Sequence, residues 1–256
     1  MKENSRVIGI IPARYGSSRL PGKPLAPIAG LPMIRRVYER SAACPLLSSV
    51  CVATDDERVR DAVAAFGGNA VMTRPDHPSG TDRVAEAAMA LDADIVVNIQ
   101  GDQPFIHPDM MAEAVRPLLG DPAAGVSTLM FPIVRDADLA DPAVVKVVAD
   151  LSGRALYFSR SLIPYPREAV AHSVYEHVGL YAYRKDTLLH LTTLAPTTLE
   201  RVESLEQLRW LEHGVRVLVT ESAVPDRDYC GFSVDTAADL ARAEQMLSER
   251  SGGHDA

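Results

Sequence analysis

The chain has 256 residues, enough to bury one substantial core or a core with a smaller lobe. Hydrophobic residues make up 47% and charged residues 23%, the proportions of an ordinary globular protein. A formal net charge of −8 disfavours nonspecific nucleic-acid binding but leaves room for a local basic pocket.

Val7–Ile11 is a short, β-branched apolar run that reads as a buried strand. It is too short for a signal-peptide core or a membrane helix. A cytoplasmic protein without membrane insertion is expected. Cys44, Cys51 and Cys230 are odd in number and widely spaced, so neither a disulfide framework nor a structural zinc site is expected. Helix is predicted over Met33–Ala43, strand over Ser49–Ala53, and helix over Asp56–Phe66 until Gly67 and Gly68 stop it. A short strand at Asn69–Met72, a helix at Thr81–Leu91 and a strand at Asp94–Ile99 follow. Pro108–Leu119 reads as helix and Val126–Phe131 as strand. This alternation predicts an α/β fold: a mostly parallel, Rossmann-like sheet covered on both faces, with ligands at the carboxyl ends of the strands.

The pattern changes after Pro132. Val144–Ala149, Ala155–Ser159 and His177–Arg184 read as strands with few helices between them, as in an inserted, smaller α+β lobe. Glu203–His213 then reads as helix, Val215–Thr220 as strand and Thr236–Ser248 as helix. The expected division is a core of 1–131 with 214–248, a lobe of 132–213 and a disordered tail of 249–256.

Three strand-end segments and one helix start carry candidate chemistry. The first strand runs into Pro12-Ala13-Arg14-Tyr15-Gly16-Ser17-Ser18-Arg19-Leu20-Pro21-Gly22-Lys23-Pro24-Leu25. Three cations among small, turn-forming residues suit a polyphosphate, since small residues admit backbone N–H groups and the cations offset its charge. The loop is neither a P-loop nor a dinucleotide fingerprint. Solvated surface charge is the plain alternative. Asp102, in Gln100-Gly101-Asp102-Gln103, follows the fourth strand, where an acidic residue suits a hard cation. Asp235 stands just before the last helix and could equally be its N-cap. Met72 to Arg83 follows the third strand, with Ser79 or Thr81 as a plausible cap. In the lobe, His177 reads equally as a packed strand residue. Glu203, Glu206 and Gln207 read equally as a solvated helix face.

The first loop, the Gln-Gly-Asp and Val-Asp-Thr segments, the Ser-Gly-Thr-Asp-Arg stretch, the Tyr-Glu-His-Val-Gly-Leu-Tyr strand and the Glu-Ser-Leu-Glu-Gln-Leu helix occur in one order from Val7 to Met246. Together they resemble the sugar nucleotidyltransferases, in the form of the 3-deoxy-manno-octulosonate (Kdo) cytidylyltransferases. The resemblance implies a homodimeric enzyme that transfers CMP from CTP to the anomeric hydroxyl of Kdo, releasing pyrophosphate, for lipopolysaccharide synthesis. It implies that Arg14, Arg19 and Lys23 grip the CTP phosphates, that Asp102 and Asp235 hold Mg²⁺, and that Arg74, Ser79 and Gly80 lie near the cytosine. Arg83 would meet the sugar carboxylate. Gln100, Arg160, His177, Glu206 and Gln207 are candidates for the rest of the sugar. Several of the motifs also resemble a subgroup that uses 8-amino-Kdo, which makes that sugar the second expectation. Gln103, where the wider family often has Glu, is read as subgroup variation that bears on the choice of sugar. A nicotinamide oxidoreductase is suggested only by the β-α alternation and lacks the dinucleotide fingerprint. A nucleotide sensor without turnover would have no need of both aspartates.

Overall fold

The computed structural model describes residues 5–16, 19–225 and 230–252. Ser17 and Ser18 of the first loop, and the predicted tail past Gly252, lie outside the described residues.

The buried strand β1 (Val7–Pro12) opens the fold. A single 3-10 turn at Lys23–Leu25 leads into a small hairpin, β2 (Pro27–Ile28) and β3 (Leu31–Pro32). Then come α1 (Met33–Ala42), β4 (Ser49–Thr54), α2 (Glu57–Ala65), β5 (Ala70–Met72), α3 (Gly80–Met89) and β6 (Ile95–Asn98). Strands β6, β1, β4 and β5 lie side by side in that order, all parallel, with Ile10 level with Asn98 on one side and Cys51 on the other. Their continuous apolar runs fit strands buried on both faces, and α1, α2 and α3 supply the cover. Side-chain caps fix where two helices begin: Asp56 accepts the Arg58 N–H for α2, and Ser79 accepts the Asp82 N–H for α3. The loops after the strands are therefore set at both ends.

Beyond α4 (Pro108–Gly120) the chain builds β7 (Val126–Pro132), α5 (Asp136–Ala140), β8 (Lys146–Ala149), β9 (Ala155–Ser159) and β10 (Tyr175–Arg184). Helices α6 (Lys185–Leu191), α7 (Thr198–Glu203) and α8 (Glu206–Glu212) precede β11 (Val217–Glu221), and α9 (Ala237–Gly252) closes the described chain. Here pairing is mixed. β10 is antiparallel to β7 and β8, β9 is antiparallel to β8, and β11 is parallel to β7.

The chain divides into two compact units, one of Glu113–Ala223 and one of Arg6–Ala112 with the chain from Val224. The first division falls inside α4, not at the predicted 131/132, because β7 pairs along its whole length with β10. The second falls after β11, not at the predicted 213/214, because β11 pairs with β7. Two further differences concern helices. The predicted helix Glu203–His213 begins only at Glu206: Ser204, at φ 52°, ends α7 at Glu203, and α8 takes up the rest. The last helix continues to Gly252, so the chain over 249–252 is helical and not part of a tail.

Candidate active site

A cavity of about 360 Å³ opens where β1, β5 and β6 end. Its lining includes Arg14, Arg19, Lys23, Ser79, Gly80, Arg83, Gln100, Asp102 and Asp235, and every lining residue belongs to the unit that holds the parallel strands. Nine of the predicted site residues thus surround one space at the carboxyl ends of parallel strands, where open α/β sheets bind ligands.

Local backbone chemistry brings the two aspartates together. Gly101 packs so tightly that a Cβ there would lie 2.8 Å from the Pro12 carbonyl oxygen, so this turn runs against the end of β1. The carbonyl of Asp102 accepts the Val234 N–H at 2.9 Å, which sets Asp235 beside it. Asp235 does not cap α9. Thr236 does: its Oγ1 accepts the Asp239 N–H, and Asp239 accepts the Thr236 N–H in return. The Asp235 carboxylate is left to face the cavity.

Lys23 stands between the two carboxylates, its Nζ 2.7 Å from Asp102 Oδ2 and 2.9 Å from Asp235 Oδ1. Burial opposes its charge, but the two carboxylates prevail and hold the ammonium above its ordinary pKa. Arg19 donates to Asp235 Oδ1 at 2.9 Å. Gly22 lets the loop present Lys23: its φ is 69°, and an added Cβ would lie 3.1 Å from the Tyr15 hydroxyl. The Arg58 guanidinium covers the Tyr15 ring at 3.4 Å and pairs with Asp56. The basic loop is thereby tied to the start of α2.

This arrangement tests the fit of a divalent cation. Two hard carboxylate oxygens already share one positive charge. Among the described residues no cluster of three or more acidic, histidine or cysteine side chains forms a complete protein cage. Mg²⁺ is commonly held in this way, by one or two carboxylates plus substrate phosphates and water. The residues present fit it.

Arg83 is buried, donates from Nη1 to Thr73 Oγ1 at 2.6 Å, and lies 3.3 Å from Asp55 Oδ1. Its guanidinium ties the ends of β4 and β5 together as well as lining the cavity. Arg74 does not line the cavity. Its side chain is 68% exposed and approaches Glu86 at 3.7 Å. Gln103 is buried and is also absent from the lining. His77, given no role from the sequence, is in the lining and almost fully buried. It contacts Glu86, nine residues on, so the strand-end loop and the following helix share one histidine–carboxylate contact.

The other four predicted residues belong to the inserted unit. Arg160 donates to the carbonyls of Glu203, Pro142 and Ser204, two of which the break between α7 and α8 exposes. The His177 ring sits between Phe158 and Tyr181, with centroids at 4.9 and 5.3 Å, and its Nε2 is 3.0 Å from Thr128 Oγ1. Burial pushes its pKa down to about 3, so it is neutral. Gln207 is buried, and Glu206 opens α8. Burial first, then Tyr183 and Glu206, raises the Tyr181 phenol well above its ordinary pKa.

The chain is similar to known proteins along most of its length. A cytidylyltransferase family model matches residues 8–217. A 3-deoxy-manno-octulosonate cytidylyltransferase of Syntrophotalea carbinolica is 50% identical over 250 residues, covering 94% of this chain and 98% of its own. One from Geobacter metallireducens is 49% identical, covering 95% and 98%. The structure of a CMP:2-keto-3-deoxy-manno-octonic acid synthetase complexed with CTP superposes with a TM-score of 0.90 at 46% identity, covering 96% of this chain and all of that one. A 4-diphosphocytidyl-2C-methyl-D-erythritol synthase from Anaerococcus prevotii, 15% identical with a TM-score of 0.63, shares the fold. With the family model spanning most of the chain and relatives at half identity along nearly all of it, the chain belongs to the cytidylyltransferase family, among the 3-deoxy-manno-octulosonate cytidylyltransferases.

Proposed function

We propose that this protein transfers CMP from CTP to the anomeric hydroxyl of Kdo and releases pyrophosphate. The observation that carries the reading is one cavity lined by four cations, Arg14, Arg19, Lys23 and Arg83, and by two carboxylates that converge on Lys23. Relatives at about 50% identity are named for Kdo, which favours it over 8-amino-Kdo. The product would serve lipopolysaccharide synthesis.

Arg14, Arg19 and Lys23 bind the triphosphate and offset charge on the departing pyrophosphate. Asp102 and Asp235 hold Mg²⁺, which when bound lowers the pKa of the attacking hydroxyl and neutralises the α-phosphate. Holding both substrates in line supplies much of the rate enhancement. Ser79, Gly80 and Arg74 are assigned to the cytosine side, and Arg83 and Gln100 to the sugar acid. Arg160, His177, Glu206 and Gln207 carry the sugar-hydroxyl role in this reading. Large exposed apolar side chains on the inserted unit, among them Leu156, Tyr165, Val170 and Val202, support a homodimer formed through that unit. Among the described residues no helix is long and apolar enough to cross a membrane.

Pyrophosphate release from purified protein with CTP and Mg²⁺, with Kdo and 8-amino-Kdo in parallel, tests the reading. Release with Kdo at least about tenfold faster in kcat/KM is expected. Preference for the amino sugar would move the substrate. No release with either from folded protein would overturn the activity.

A further inference from the structure

We propose that Glu86 is a positioning residue for nucleobase recognition, gathering both ends of the Arg74–His77 loop onto one carboxylate and fixing the wall on which cytosine is read. This rests on the cytidylyltransferase reading above and adds to it a residue that lies outside the cavity lining.

Glu86 sits on α3, beyond its first turn, and points back at the loop that leads into that helix. Both its oxygens accept the Arg74 N–H, at 3.1 and 3.3 Å. Oε2 also contacts His77 Nε2. The Arg74 Nε lies 3.7 Å from the same oxygen. Desolvation opposes ionisation of Glu86, but the His77 and Arg74 contacts outweigh it and hold its pKa below the ordinary value. Ser79 caps α3 one residue past Pro78, so the loop is pinned at its far end too.

His77 lines the cavity together with Pro78, Ser79 and Gly80, and the cations and the carboxylate pair line the same cavity. A nucleoside triphosphate calls for both kinds of wall, a flat base carrying neutral hydrogen-bonding edges and phosphates that need cations. With its Nε2–H directed at Glu86, the neutral form of the ring presents Nδ1 as an acceptor, because the partner of one ring nitrogen fixes the role of the other. An acceptor suits the exocyclic amine of cytosine and opposes the carbonyl that uracil carries at the same position. Glu86 thereby governs both where the loop stands and which base edge it favours.

Glu86→Gln keeps the size of the side chain and removes its charge. Its amide can also turn its NH₂ toward His77, which abolishes the tautomer preference. In the full-length enzyme, with Kdo and Mg²⁺, the KM for CTP should rise about tenfold, and the CTP-to-UTP ratio of kcat/KM should fall by a similar factor. The KM for Kdo should hold. His77→Gln should give the same pattern, and the double variant should add little, as for two residues acting as a unit. Each variant alone suffices should the other fail to fold. A lower melting temperature with unchanged CTP KM and unchanged base preference would reduce Glu86 to structural support and overturn the proposal. Wild-type enzyme that turns over CTP and UTP alike would overturn it as well. Absence of turnover in the wild type would instead strike the cytidylyltransferase reading, and the proposal with it.

Discussion

Lys23 occupies the place that a divalent cation would take between Asp102 and Asp235, at ordinary ion-pair distances from both. On the proposed reading its ammonium would compete with metal in the nucleotide-free protein, and a triphosphate would give it an alternative anion. Lys23→Met should lower kcat by about 100-fold or more, since a donor to the developing charge is lost. The same change should raise the affinity of nucleotide-free protein for Mn²⁺, read by electron paramagnetic resonance. Asp102→Asn should weaken Mn²⁺ binding and abolish turnover while the protein stays folded. Mn²⁺ affinity that is unchanged or lower in Lys23→Met would show that the lysine does not compete for this site. Arg83 presents a mixed case at the same scale. Its ties to Thr73 and Asp55 mean that Arg83→Met loosens two strand ends as well as any sugar contact.

Among the elements, the start of α9 separates two roles that the sequence left open for Asp235. Thr236 and Asp239 form the reciprocal cap, and Asp235 points at Lys23 and Arg19. Thr236→Ala should therefore cost about 1 kcal/mol in chemical denaturation. Asp235→Asn should cost less than that and lose turnover. The reverse order of stabilities would restore Asp235 as the cap. The parallel strands were legible because continuous β-branched runs between helical patterns have few other solutions, and the cavity followed from where those strands end. The break at Ser204 was not legible. A serine with positive φ is uncommon, and contacts distant in sequence accompany it, with Arg160 donating to the Glu203 and Ser204 carbonyls. The limits of the inserted unit were missed for a similar reason. Strand pairing between β7, β10 and β11 decides them, and pairing is a long-range choice that local pattern does not encode.

For the whole molecule, the half-buried His177, its ring enclosed by Phe158 and Tyr181, contributes to how stability responds to mild acid. Its folded pKa is depressed to about 3 by burial, whereas the unfolded chain protonates near pH 6.5. The unfolded state then binds the extra proton, so the contribution of this residue is intact above about pH 6.5 and is lost progressively as pH falls toward 3. At about 1.4 kcal/mol per pH unit, the loss between pH 6.5 and 5 approaches 2 kcal/mol. The carboxylates held low by their partners, Glu86 by His77 and Arg74 and Glu200 by Arg209, work the same way but only below about pH 4.5. The window from pH 6.5 to 5 therefore isolates the histidine from these carboxylates. His177→Phe keeps a ring between Phe158 and Tyr181, and the Thr128 hydroxyl retains the Val178 and Leu180 carbonyls as partners. Urea denaturation at pH 7.5, 6.5, 5.5 and 5 should show the wild type losing stability steadily below 6.5, with the variant's curve flatter by about one proton. Parallel curves would mean that His177 takes up its proton in the folded state and is not enclosed as its neighbours imply.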